Sequence, residues 1–170
     1  GNHRALGFPL SGGSFSLATK VLGQPDLQFR GANTTKALGF NYGAVFFGNG
    51  RLNGAGNVAV DYTSNPPRMY VADTLNNRVL GYRDARNVKN GDAADLVVGQ
   101  LDFVHNNVNR TGELFQLSDV GLNSPASVSV DAQGNLWVAD TGNGRVLRFA
   151  KPFEQPSEPR ANLVLGQASR

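Results

Sequence analysis

A segment of twelve residues occurs twice in this sequence with little change. Residues 69–80 read Met-Tyr-Val-Ala-Asp-Thr-Leu-Asn-Asn-Arg-Val-Leu, and residues 136–147 read Leu-Trp-Val-Ala-Asp-Thr-Gly-Asn-Gly-Arg-Val-Leu. A second motif, which ends in Gly-Gln, occurs three times and places its glycine at Gly23, Gly99 and Gly166. Intervals of 76 and 67 residues between these glycines suit a supersecondary unit of several short strands rather than one turn of a solenoid. The sequence therefore predicts a chain of repeated units.

Each copy of the twelve-residue segment predicts a β-hairpin. Large and small apolar residues alternate, a turn rich in Asn and Gly follows, and an extended pattern then resumes. An Asp ends the first strand and an Arg begins the second, as Asp73 with Arg78 and Asp140 with Arg145. A charge-assisted hydrogen bond between them would stabilise the turn, so we predict a structural role for both pairs. The alternative is a polar contact that also faces a partner. The glutamines after the three repeated glycines are predicted to hydrogen-bond to the backbone: Gln24, Gln100 and Gln167.

Few helix formers and many turn formers indicate an all-β protein. Each complete unit is predicted to contain four strands, at about residues 57–61, 69–73, 78–82 and 95–98 in the first unit and 126–131, 136–140, 145–149 and 162–165 in the second. Four-stranded antiparallel sheets repeated along a chain are typical of a β-propeller, in which each sheet is one blade. Val58 and Val128 are then predicted on innermost strands, and Val97 and Val164 on outermost strands.

The pattern Val-Ser-Val-Asp-x-x-Gly-Asn-Leu-Trp-Val-Ala-Asp-Thr-Gly-Asn-Gly-Arg-Val-Leu-Arg-Phe at residues 128–149 resembles the NHL repeat, and residues 58–82 resemble it with a short insertion. NHL proteins are usually propellers with a ring of about six blades. The resemblance therefore implies an incomplete ring of about two and a half blades. The predicted division is a half blade at 1–24, a long connection at 25–56, a blade at 57–100, a long connection at 101–125 and a blade at 126–167.

The two long connections are predicted to share one face with the turns that follow Asp73 and Asp140. Strands alternate in direction, so the turn between strands two and three lies at the same end of a blade as the connection to the next blade. Loops on a rigid scaffold vary in length at little thermodynamic cost, and recognition often resides there. The candidate ligand-binding residues on this face form a mixed polar and aromatic set suited to a sugar, a peptide or an anionic group: Arg30, Asn33, Tyr42, His105, Asn107 and Arg110.

Several kinds of chemistry have no support in the sequence. The chain has no cysteine, which excludes disulfides, thiolate metal sites and Cys nucleophiles. It has two histidines, whereas a zinc site needs three or four convergent ligands. The Gly-rich segment at 48–56 lacks the helix and the Lys-Ser/Thr of a phosphate-binding loop. We therefore expect no catalytic residue, no metal and no cofactor in this chain.

The expected function is a non-enzymatic binding or scaffold module for a protein, peptide or carbohydrate. The formal charge is +3 and the arginines are scattered, so a nucleic-acid partner is not expected, and no apolar run could span a membrane. One alternative is a fragment of a propeller lyase or hydrolase whose catalytic residues lie in missing blades. Another is an RNA-binding NHL domain, which would need a contiguous basic face.

Two expectations concern what covers the open ends of the incomplete ring and where the protein is located. An incomplete ring exposes apolar blade faces, and large exposed patches rarely persist on a monomer. The remaining blades of a longer chain, or self-association, are therefore expected to cover them. Family habit and the Asn- and Gly-rich composition favour an extracellular or periplasmic location.

Overall fold

The computed structural model describes residues 4–28, 57–155 and 158–167, together with the backbone of two strands at 45–47 and 51–53. Within these ranges the regular structure consists of β-strands and short 3₁₀ turns, which confirms the all-β prediction. Three predicted ligand-binding residues, Arg30, Asn33 and Tyr42, lie outside the described residues. The strands are β1 (Ala5–Gly7), β2 (Leu10–Ser11), β3 (Ser14–Phe15), β4 (Lys20–Leu22), β5 (Val45–Phe47), β6 (Arg51–Asn53), β7 (Val58–Asp61), β8 (Arg68–Asp73), β9 (Arg78–Tyr82), β10 (Leu96–Val98), β11 (Ser127–Val130), β12 (Leu136–Asp140), β13 (Arg145–Phe149) and β14 (Ala161–Leu165).

Two antiparallel sheets of four strands form the two described blades. The hydrogen-bonded order is β10-β9-β8-β7 in the first blade and β11-β12-β13-β14 in the second, which confirms the predicted four-stranded blades. Each predicted strand end lies within one residue of the observed end. The side chain of Asn57 joins the two edges formed by β7 and β11. Its Nδ2 donates to Val128 O at 3.0 Å, and its Oδ1 accepts from Val128 N–H at 2.6 Å.

A hydrophobic core lies between the two blades. The first blade contributes Tyr70, Ala72 and Val79, and the second contributes Val128, Leu136, Val138, Leu147 and Phe149. On the opposite face of the first blade, Met69, Val71, Leu80 and Tyr82 form a second core with Leu22 of β4. Successive residues of a strand point to opposite faces, so β8 contributes to both cores and is buried from residue 69 to residue 73.

The second blade is buried on one face only within the described residues. Along β12, Leu136 and Val138 are buried and Trp137 and Ala139 are half-buried. Trp137 Nε1 donates to Asp131 Oδ2 at 2.9 Å, and the Arg148 guanidinium lies 5.7 Å from the centre of the Trp137 ring. The outer face therefore combines an aromatic body with polar partners.

The N-terminal residues form a smaller sheet beside the first blade. β1 pairs antiparallel with β4, with Ala5 opposite Leu22, and β2 pairs with β3 in a hairpin. Leu22 connects this sheet to the second core. The predicted division of the chain into a half blade, connections and blades stays a prediction.

Two 3₁₀ turns join β8 to β9 and β12 to β13, at Thr74–Asn76 and Thr141–Asn143. Each ends in a left-handed residue, Asn77 with φ 51° and Gly144 with φ 63°. Glycine and asparagine adopt this conformation at the lowest cost, which explains the turn composition of both copies. The turns bring each Asp opposite its Arg in the strand ladder.

Candidate binding surface at the end of the blades

Asp140 and Arg145 form a buried ion pair at the end of the second blade. Arg145 Nε donates to Asp140 Oδ2 at 2.7 Å, and both side chains are fully buried. The carboxylate also accepts from the backbone N–H of Asn123 at 2.7 Å and from Asn143 Nδ2 at 2.8 Å. Burial raises the pKa of Asp140, and these hydrogen bonds and the Arg145 charge oppose that rise. The ionised carboxylate therefore depends on its donors.

The same arginine holds the long connection at residues 101–125. Arg145 Nη2 donates to Ser118 O at 2.9 Å and to Gly121 O at 3.1 Å. The guanidinium thus joins the end of a hairpin to a segment more than twenty residues upstream. The sequence predicted the contact across the turn but contained no signal for this second contact, because the acceptors are backbone carbonyls.

The first blade repeats the arrangement. Arg78 Nε donates to Asp73 Oδ2 at 2.7 Å, and Arg78 Nη1 donates to Phe103 O at 2.8 Å. Asn76 Nδ2 lies 3.0 Å from both oxygens of the Asp73 carboxylate. Both arginines therefore bind their own turn and the same 101–125 connection. That these pairs serve the fold rather than a ligand stays a prediction.

Two asparagines complete the attachment of the connection. Asn109 is buried, and its Nδ2 donates to Glu113 O at 3.0 Å and to Leu114 O at 2.9 Å. Its Oδ1 accepts from Asn143 Nδ2 at 2.7 Å. Asn77 donates from Nδ2 to Asn106 O at 2.9 Å. Sequence reasoning missed both roles, because an asparagine in a loop has the pattern of an ordinary turn former.

The predicted backbone contacts of two glutamines are present. Gln100 Nε2 donates to Asn77 O at 2.9 Å and to Asn107 O at 2.8 Å. Gln167 Nε2 donates to Asn143 O. Each glutamine therefore links the end of the fourth strand of its blade to the turn between the second and third strands.

His105 is an exposed residue of the connection. Its Nδ1 lies 2.9 Å and 3.0 Å from the two carboxylate oxygens of Asp102. The backbone N–H groups of His105 and Val104, followed by the His105 ring, hydrogen-bond to Asp102 and lower its pKa to about 2. His105 is therefore held at the surface by an ionised neighbour.

The remaining predicted ligand-binding residues differ in accessibility. Asn107 is exposed, while its carbonyl accepts from Gln100. Arg110 has a left-handed backbone with φ 69° and forms an ion pair with Glu158. Among the described residues, His105 and Arg110 therefore have separate carboxylate partners. A ligand role for these residues stays a prediction.

Apolar side chains project from the middle of the same connection. The exposed fractions of Leu114 and Phe115 are 57% and 96%, and Leu117 is also exposed. Together with Asn123 of the connection and three residues of the second blade they line a recess of about 410 Å³, here called the Phe115 recess: Leu114, Phe115, Leu117, Asn123, Gly142, Asn143 and Gln167. Sequence reasoning missed this recess, because the connection has no periodic pattern that separates an exposed aromatic residue from a buried one.

A larger recess lies at the opposite end of the blades. Its volume is about 800 Å³, and it is lined by the β7–β8 turn, by Ala132 and Gln133 of the β11–β12 turn, and by side chains that follow β9 and β13. The predicted ligand face is the end with the long connections, and the larger recess is therefore not on that face.

The NHL repeat family model matches residues 122–149. This range contains β11, β12 and β13 and the Asp140–Arg145 pair, which confirms the NHL resemblance there. No curated protein matches the chain. Across the described ranges, no group of three or more His, Asp or Glu side chains could hold a metal ion. No helix in the same ranges is long and apolar enough to cross a membrane.

Proposed function

We propose that this chain, which contains an NHL repeat, is a non-enzymatic binding module that takes an extended peptide segment of a protein partner at the Phe115 recess. The observation that carries the proposal is the 96% exposure of Phe115 on a segment that buried and partly buried hydrogen bonds hold in place. Exposed aromatic residues grouped with other apolar side chains are typical of interaction sites.

The recess has a rigid support. Arg78 and Arg145 each donate to carbonyls of the connection, and Asn109 donates to the carbonyl of Leu114 itself. The residue beside Phe115 is thereby fixed to the scaffold. A surface that is already ordered loses little conformational entropy on binding, so more of its contact energy contributes to affinity.

The chemistry of the recess suits a peptide. Leu114, Phe115 and Leu117 offer apolar contact, while Asn123 and Asn143 offer amide donors and acceptors. An extended peptide can present both kinds of group, because its backbone carries N–H and C=O groups and some of its side chains can be apolar. Burial of one Phe side chain contributes about 1.5–3 kcal/mol, which is about tenfold or more in affinity.

The test begins with selection of peptides from a displayed library against the intact chain. Calorimetric titration then compares a selected peptide on the wild type, on Phe115→Ser and on Phe15→Ser. Phe15 is a matched control, because it is 74% exposed and lies in the N-terminal hairpin. We expect Phe115→Ser to weaken binding about tenfold or more at unchanged melting temperature, and Phe15→Ser to leave affinity unchanged.

Selected peptides that bind Phe115→Ser as tightly as the wild type would reject the recess as the site. If the selection yields no peptide and a glycan binds tightly, the ligand of the recess is a carbohydrate rather than a peptide. Binding of single-stranded RNA that weakens steeply with salt would favour the RNA-binding alternative.

A further inference from the structure

A phenylalanine from the second blade packs on the first blade beside the larger recess. Phe153 belongs to the 3₁₀ turn Pro152–Glu154, and its ring centre lies 5.7 Å from that of Tyr70. Gly81 of β9 makes this packing possible, since a Cβ there would lie 3.0 Å from Phe153 Cζ. The turn after β13, which belongs to the second blade, therefore packs against the first blade.

Two arginines stack on this ring. The Arg68 guanidinium lies 5.3 Å from the Phe153 ring centre, and the Arg83 guanidinium lies 5.0 Å from it. Residues 69 and 82 are paired in the β8–β9 ladder, so the two arginines come from the same end of neighbouring strands. Cation–π stacking on one ring restricts both side chains. Arg68 Nη1 donates to Glu154, whereas the Arg83 guanidinium presents its N–H donors to the recess.

The lining of the recess carries excess positive charge. Arg68, Arg83 and Lys151 line it together with a single carboxylate, that of Glu154. Glu154 lies 3.3 Å from Arg68 Nη1 and 3.8 Å from Lys151 Nζ. Among the described residues, no carboxylate forms an ion pair with the Arg83 guanidinium. The buried carboxylate of Asp61 accepts a hydrogen bond from Thr63 of the lining. The cations Arg68, Arg83 and Lys151 still outnumber the carboxylates of Glu154 and Asp61.

Lys151 occupies an unfavourable backbone conformation. Its φ of 40° lies in the left-handed region, where a residue with a Cβ costs about 1–2 kcal/mol relative to the right-handed one. Asn and Gly tolerate this region better. A lysine at this position supplies a charge to the recess at a cost in stability, which is typical of functional sites.

We propose that this recess binds the dianionic phosphate group of a small, soluble phosphate monoester. Arg68 and Arg83 present planar donors that match phosphate oxygens, and Lys151 adds a third positive charge. The amide groups of Asn65 and Gln133 on the rim can bind the hydroxyl groups of the ester. A volume of about 800 Å³ accommodates a metabolite of this size.

A nucleic acid suits the recess less well. Single-stranded nucleic acids bind where bases stack on exposed aromatic rings. Phe153 is half-buried, and its ring already contacts Tyr70 and two guanidinium groups. The site is also at the other end of the blades from the Phe115 recess, so it does not depend on the peptide proposal.

Calorimetric titration of the intact chain with glycerol 3-phosphate, inorganic phosphate and acetate, at constant ionic strength, tests the proposal. We expect saturable binding of glycerol 3-phosphate, weaker binding of inorganic phosphate and none of acetate. Arg83→Gln should weaken the binding of glycerol 3-phosphate about tenfold. Arg148→Gln is the matched control, because Arg148 also stacks on an aromatic ring but does not line the recess. It should leave affinity unchanged.

Two further variants separate ligand binding from structural support. Glu154→Gln removes the carboxylate of the lining and should tighten binding. Lys151→Asn removes a positive charge from the recess and should therefore weaken binding. Because Asn tolerates the left-handed backbone at this position better than Lys, the melting temperature should not fall. The proposal is overturned if the chain does not bind glycerol 3-phosphate, if Arg83→Gln and Arg148→Gln have equal effects, if acetate binds as tightly, or if an RNA oligonucleotide binds there instead.

Discussion

At the scale of single residues, one arginine connects three parts of the chain. Arg145 contacts Asp140 on the strand before it and the carbonyls of Ser118 and Gly121 on the connection. Removal of one partner from a buried ion pair leaves the other charge without compensation, which costs more than the pair itself contributes. The stability of the turn and the attachment of the connection therefore depend on the same side chain.

We expect Arg145→Ala to lower the free energy of unfolding by about 3–5 kcal/mol, the range for breaking a buried ion pair. Arg160→Ala is the control, because Arg160 forms an exposed pair with Asp119 at 3.0 Å. Arg160→Ala should lower the free energy of unfolding by less than about 1 kcal/mol. Urea denaturation measures the free energy of unfolding of both variants. If Arg145→Ala abolished peptide binding at unchanged stability, Arg145 would be a ligand residue instead.

The carboxylate of Asp131 makes the stability of the fold depend on pH. Burial disfavours its charge, but hydrogen bonds from Trp137, Asn135 and Gln133 prevail and lower its pKa to about 2. A depressed pKa stabilises the fold above the ordinary carboxyl pKa of about 4, and this stabilisation is lost as the pH falls towards 2.

Trp137→Phe removes the donor to Asp131 Oδ2. Its melting temperature should therefore fall below that of the wild type most at neutral pH, and the difference should shrink as the pH falls from about 4 to about 2. In an Asp131→Asn background the same substitution should give a difference that does not vary with pH. A pH-independent difference in the wild-type background would contradict the role of this hydrogen bond.

At the scale of elements, the strands were predictable and the connection was not. Residues 136–147 contain an alternating strand, a turn and a second strand, and local spacing is enough to place all three. The 101–125 connection is shaped instead by hydrogen bonds between distant residues, such as Asn143 to Asn109. The cationic recess is lined by Arg68, Arg83 and Lys151, which lie in separate segments of the chain. Contacts between residues that are distant in sequence cannot be predicted from a local pattern.

The connection is packed closely enough to be sensitive to one methyl group. A Cβ at Gly121 would lie 2.5 Å from the carbonyl oxygen of Asn109 and 2.6 Å from its carbonyl carbon. These are backbone atoms, so the segment itself must move. Gly121→Ala should therefore speed tryptic cleavage after Arg110. Gly13→Ala is the control: it strains its own backbone at φ 81°, but its Cβ meets nothing within 4 Å and lies in the N-terminal hairpin, so that cleavage rate should stay unchanged. Equal rates in all three proteins would show that the close contact does not hold the connection.

At the scale of the whole molecule, the blades separate two surfaces of different character. The end with the connection presents apolar side chains and amides, and the other end presents cations around Phe153. Strands of five residues such as β9 and β13 span about 17 Å between these ends. The close-packed core between the blades makes the two sheets rigid. Both surfaces therefore keep their positions relative to these sheets.

Many of the acceptors that fasten the connection are main-chain oxygens, among them those of Phe103, Glu113, Leu114, Ser118 and Gly121. Every amino acid carries such an oxygen, so these attachments do not depend on the identity of the exposed side chains between them. The side chains of residues 113–117 can consequently be substituted while the backbone keeps its conformation. This end of the protein is thus suited to randomised libraries, in which new specificities are selected on an unchanged framework.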